Sequence, residues 1–151
     1  MDVMGTTTKT LYDTDFVEWT AHVAEMLRQG RFDEGGFEHI AEEIEDLGKC
    51  ERSAVRSQLH RMLMHLVKQR IQPAKSESSW RRSIAEGRTE VEFKLEDSPS
   101  LRRYAEQNLE AIWRKAVKNA LFETGLADRE QDLDIPANCP YTLNDLLDGD
   151  L

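Results

Sequence analysis

No run of apolar residues in this chain approaches the roughly 20 that a membrane-spanning helix needs, so no membrane role is expected. The first ten residues, MDVMGTTTKT, lack the apolar core of a secretory signal. A cytoplasmic location is expected from that. Cysteine is nearly missing: Cys50 and Cys139 stand alone, which rules out a disulfide framework and a cysteine zinc site and suits a reducing compartment. No stretch alternates apolar and polar residues with β-branched enrichment, so no strand is expected. There is no internal repeat, no low-complexity run, no glycine-rich phosphate loop and no dinucleotide fingerprint. The serines, among them Ser78, Ser79, Ser83, Ser98 and Ser100, never sit in a G-x-S-x-G setting.

What is present is helical pattern and charge. The 151 residues suffice for one domain with a sizeable core, and 32% of them are charged, with a net charge of -9. The charge is segregated. Glu34, Glu38, Glu42, Glu43, Glu45, Asp46 and Glu51 crowd one segment, while Arg61, Lys68, Arg70, Lys75, Arg81, Arg82 and Arg88 dominate the next. The tail from Asp128 onward is acidic again. Neutralising nucleic-acid phosphates takes a basic surface, so the overall sign disfavours a general nucleic-acid binder and leaves only the basic segment 61–88 for such a role.

The chain is organised around the stretch from Glu38 to Pro73. Ile40, Ile44 and Leu47 form one apolar stripe, and Val55, Leu59, Leu63, Val67 and Ile71 continue it at steps of four, widened by Met62 and Leu66. Gly48 either kinks one helix or separates two. Residues 1–10 are expected to be a flexible lead, followed by a helix from Thr14 to Gln29 that Gly30 ends. Its buried side would be Phe16, Val17, Trp19, Val23, Met26 and Leu27, and the linker RFDEGG follows. A helix over 78–96 carries Trp80, Ile84, Val91 and Leu95, and Gly87 on the same stripe would let another backbone come close. Ser98 and Pro99 open the most regular helix, which Gly125 closes. Its face runs Leu101, Tyr104, Ala105, Leu109, Ile112, Trp113, Ala116, Val117, Ala120 and Leu121. Thr142 and Asp145 form a capping-box pattern for a short last helix. The sum is an all-α, single-domain bundle of about five helices over 11–151, with the tail 127–151 docked on it.

The order of local signatures is specific. LYDTDFVEW at 11–19, EEIEDLG at 42–48, HLVK at 65–68, SW at 79–80 with Arg88, DSPSL at 97–101, ETGL at 123–126 and PANCPYTLNDLL at 136–147 follow one another. Together they resemble the bacterial family catalogued as domain of unknown function twenty-nine, over nearly the whole chain from Leu11 to Leu151. The resemblance implies a compact helical protein and brings no mechanism. It singles out Asp15, Trp19, Glu42, Glu43, His65, Lys68, Trp80, Arg88 and Glu123 as signature positions. The family pattern has aromatics just after the HLVK-like motif, where this chain has Gln69 and Arg70.

Three chemistries compete for these residues. Helical bundles build metal sites from inward Glu and His, and Glu43 and His65 are the candidate ligands, but no Glu-x-x-His is present. Glu18 and His22, four apart, could share a ligand. Asp15 beside His22 or His65 would be an oriented base. Cys50, near Lys49 and Arg52, reads as a small buried helical side chain. Arg81, Arg82 and the rest of the basic segment, with Trp80 interleaved, would hold phosphates unless they face the acidic first half of the central stretch or the acidic tail. Trp19, Trp80 and Trp113 lie on apolar stripes and are expected in the core. Arg88 is expected to pair with Glu42 or Glu43. No cofactor is expected, and the partner expected is another protein, bound without catalysis; a Glu/His metal-dependent enzyme and a nucleic-acid-associated protein are the alternatives.

Overall fold

Asp15 opens the first helix by accepting the Glu18 N–H on its Oδ1 at 3.0 Å, the side-chain cap that satisfies one orphan donor of a helix N-terminus. The computed structural model describes residues 12–31, 34–75, 77–149 and 151, so the expected flexible lead at 1–10 lies outside the described residues. Helix α1 spans Phe16–Arg28, and Gly30 follows it with φ +65°. Trp19 and Val23 are buried and Leu27 is exposed; the side chains of Phe16 and Val17 lie outside the description. Helix α2 spans Glu34–Ile71, so it begins inside the expected RFDEGG linker and carries Gly48 in its interior without ending there. Helix α3 spans Ser78–Asp97, helix α4 Ser100–Thr124 and helix α5 Leu143–Asp148. Short 3-10 turns occupy Pro73–Lys75 and Ala127–Asp132, the second a feature that the polar sequence does not announce. Among the described residues the structure is all-α, with no strand and no helix long and apolar enough to cross a membrane.

The contacts divide the chain into two units, Met1–Lys49 and Cys50–Leu151. In the second unit Val55, Leu59, Met62, Leu63, Leu66 and Val67 of α2 share one core with Ile84 and Val91 of α3 and the expected face of α4 except Tyr104, which is half-buried outside it. Leu143, Leu146 and Leu147 of α5 belong to the same core. Gly87 is buried, and a Cβ placed on it would lie 2.7 Å from Met62 Cγ. That is the close approach the glycine permits. Pro99 already has helical dihedrals and the Ser98 carbonyl accepts the Leu101 N–H at 3.0 Å, so the chain turns helical where the sequence places the start, though without the side-chain cap expected of Ser98. At the other end Gly125 takes φ +71°, with Leu126 N–H on the Leu121 carbonyl at 2.9 Å and Gly125 N–H on that of Phe122 at 3.2 Å: a Schellman motif. The Thr142–Asp145 capping box forms with both of its hydrogen bonds.

The apolar stripe expected on the first half of α2 is only partly covered. Ile40 is half-buried, but Ile44 and Leu47 are 63% and 68% exposed. Cys50, expected buried, is exposed, and Trp80, expected in the core, is half-buried.

Candidate functional site

The signature residues of the first unit gather around Tyr12. Its hydroxyl donates to Glu43 Oε1 at 2.7 Å, its ring stacks on His39 with centroids 4.0 Å apart, and Trp19 meets it edge-on at 4.9 Å. The hydrogen bond to the Glu43 carboxylate, followed by desolvation, pushes the phenol up to about 12. Glu42 Oε2 lies 3.4 Å from His39 Nδ1. Glu43 is therefore committed to a phenol, and Asp15 to its own helix N-terminus rather than to orienting a histidine base.

This cluster lies along one edge of the exposed stripe on α2. Ile44 and Leu47, three residues apart, form an exposed apolar face. Glu43 adjoins it on the Leu47 side, and Glu38, Glu45 and Asp46 stand exposed farther round the same turns. The sequence shows this stripe, but as core; what it cannot show is that no described part of the first unit covers it.

In the second unit the HLVK residues meet the ETGL residues. Lys68, 9% exposed, donates its ammonium to Glu123 Oε2. His65 stands one turn before Lys68 and four residues after Arg61 on the same helix. Burial first, then the Lys68 and Arg61 charges, hold its imidazole below the usual histidine range, with Glu123 opposing them. Its Nδ1 and the Arg61 Nε are buried with no partner among the described residues. The arrangement fixes a neutral histidine beside an ion pair, a structural lock for α2 on α4. Among the described residues no group of three His, Cys, Asp or Glu side chains converges as metal ligands would.

The basic segment is largely consumed internally. Arg70 Nε donates to the Asp134 carbonyl at 2.8 Å, and Arg82 pairs with Glu86 one turn on at 3.9 Å. Arg88 corrects the expectation of a Glu42 or Glu43 partner. Its Nε donates to the Leu146 carbonyl and its Nη2 to that of Gly149, both at 2.9 Å. These carbonyls close α5, whose C-terminal end carries partial negative charge and unsatisfied acceptors, so a guanidinium is drawn there as it would be to a carboxylate. Arg81 remains exposed. The tail is held further by Trp113, whose Nε1 donates to the Pro136 carbonyl at 3.1 Å, and by Glu110, which accepts the Cys139 N–H at 3.0 Å. Trp113 is in the core as expected, but its bond to the tail and the role of Glu110 escape sequence reasoning, because main-chain partners leave no mark in a side-chain pattern.

One cleft lies apart from these signature positions, a volume of about 370 Å³ between α2 and α4. Arg56, Ser57 and His60 line it from one helix, and Asn108, Ile112 and Lys115 from the other.

No curated protein and no solved structure matches the chain. A family model does match, and it spans residues 11–151, the same span over which the ordered signatures run. The chain belongs to the family described as domain of unknown function DUF29.

Proposed function

We propose that this protein acts in the bacterial cytoplasm by binding another protein through the first half of α2, without catalysis. The observation that carries this reading is the exposure of Ile44 and Leu47, at 63% and 68%, on a helix whose later turns bury the same stripe. Large apolar side chains grouped on one helix face and rimmed by charge favour a partner surface. The surrounding turns are acidic, with Glu38, Glu45 and Asp46 exposed, so the occupant that fits is an amphipathic segment with an apolar seam flanked by lysine and arginine. Further support is that the signature carboxylates and bases are engaged in capping, ion pairing and tail fixation, which leaves the α2 face as the unused feature of the first unit.

The test is a capture from cell lysate with the wild type and with an Ile44→Ser/Leu47→Ser variant, each with and without nuclease. Both side chains are exposed, so the variant should keep its stability within about 0.5 kcal/mol. The expected result is one protein in stoichiometric amount, indifferent to nuclease, lost with the variant, and cross-linking to α2 through a lysine- or arginine-rich segment. Capture that nuclease abolishes, or that the variant leaves intact, refutes the reading.

A further inference from the structure

The cleft between α2 and α4 has a lining that the rest of the molecule makes unexpected. The chain carries 29 acidic residues against 20 Lys and Arg, yet none of the residues around this cleft is Asp or Glu. Arg56 reaches it from α2 and Lys115 from α4. Among the described residues neither makes an ion pair, whereas Lys68, Arg70, Lys94 and Arg102 all do. Arg56 spends one Nη2 donor on Ser53 Oγ at 3.3 Å, which fixes the guanidinium and leaves its other donors unused. The two cations come from different helices and line one recess with no carboxylate beside them, so an anion there would meet positive charge from both sides.

The other groups supply a body for that anion. The Ser57 hydroxyl and the His60 ring add polar contacts on the α2 side. His60 Nε2 lies 3.0 Å from Asn119 Nδ2, which holds the ring in place. Asn108 donates its Nδ2 to the Tyr104 carbonyl at 2.8 Å, which leaves its Oδ1 as an acceptor for a ligand hydroxyl or amine. Ile112 and Ala111 provide an apolar floor. A volume of about 370 Å³ falls in the range of small-molecule sites.

We infer that this cleft binds a phosphomonoester, its phosphate held between Arg56 and Lys115 and its organic body laid on Ile112 and Ala111. Arginine offers paired donors to two phosphate oxygens and lysine a point charge. A site of this kind is independent of the α2 docking face, which involves none of these residues.

The experiment is a titration followed by amide NMR, with inorganic phosphate, adenosine monophosphate, a sugar phosphate, adenosine and a single-stranded oligonucleotide as probes. It uses the full chain and its Arg56→Gln and Lys115→Gln variants. Both side chains are exposed, and the charge-keeping Arg56→Lys and Lys115→Arg variants control for local rearrangement. Expected are shifts confined to amides of 53–60 and 108–119 with the phosphate esters, and not with adenosine. Affinity should fall at least about tenfold in each Gln variant and recover in part in the charge-keeping ones. Whether the nucleotide or the sugar phosphate binds more tightly identifies the body. Absence of shifts at those amides, equal affinity in the Gln variants, equal binding of adenosine, or much tighter binding of a single-stranded oligonucleotide at the same amides would overturn the inference.

Discussion

His65 shows how much one residue's meaning depends on neighbours that sequence spacing only half reveals. The helical period places Arg61 and Lys68 on its face, and both lower its proton affinity in addition to the burial that dominates. Glu123, which opposes them, comes from α4, and nothing in the spacing of the HLVK segment announces it. The sign of the pH effect follows. The unfolded chain protonates His65 near the ordinary value of about 6.5, the folded chain only at lower pH, so between the two the unfolded state binds more protons. Stability from this group is intact above that value and lost as pH falls through it toward the folded-state value. Chemical denaturation at a series of pH values should therefore show the wild type losing stability on acidification through this window, and His65→Gln losing less. His22, His39 and His60 are common to both proteins, so the difference isolates His65. Parallel curves would refute this account.

At the scale of elements, α2 meets α3 where Gly87 faces Met62. An alanine Cβ at 87 would sit 2.7 Å from Met62 Cγ but 3.5 Å from the Gln58 carbonyl, so the obstruction is a side chain, not backbone. Gly87→Ala gains about 1 kcal/mol in helix propensity. Against that, crowding a fully buried methionine costs about 1–3 kcal/mol, so a net loss of about 1 kcal/mol is expected. Met62→Ala alone should cost about 2–5 kcal/mol, because it opens a cavity. In the double variant the new methyl enters that cavity, and the loss should be smaller than the two single losses combined. Urea unfolding of the four proteins measures this coupling, and simple additivity would disprove the contact. The position of Gly87 on an apolar stripe is legible in the sequence, as are the Gly30 and Gly125 stops and the Thr142 box, because each rests on local backbone chemistry. The partner of Arg88 is not. A carboxylate and the carbonyl end of a helix attract a guanidinium alike, but only the former is written as a residue type. The exposed Ile44 and Leu47 fail for a related reason: periodicity shows that a helix face is apolar, not whether anything covers it.

At the scale of the whole molecule the two units differ in what holds them. Among the described residues the buried apolar side chains of the first unit are Trp19 and Val23, while the core of the second runs from Val55 to Leu147 and draws on four helices. Its polar fastenings, Lys68 to Glu123, Lys94 to Glu51, Arg88 to the end of α5 and Arg70 to Asp134, also lie within Cys50–Leu151. Cooperative stability follows buried apolar contact, so the second unit should fold without the first. A fragment beginning at Cys50 should keep a helical spectrum and a single cooperative unfolding transition, close in midpoint to the main transition of the full chain. In the full chain, amide exchange should be slowest in the buried turns of α2 beyond Val55 and in α4, and fast in α1. A fragment that is unfolded in water, or equal protection of α1 and α4, would show that residues 1–49 supply stability that their few buried side chains do not account for. The exposed α2 face would then have to be explained as part of the folding core rather than as a surface kept for a partner.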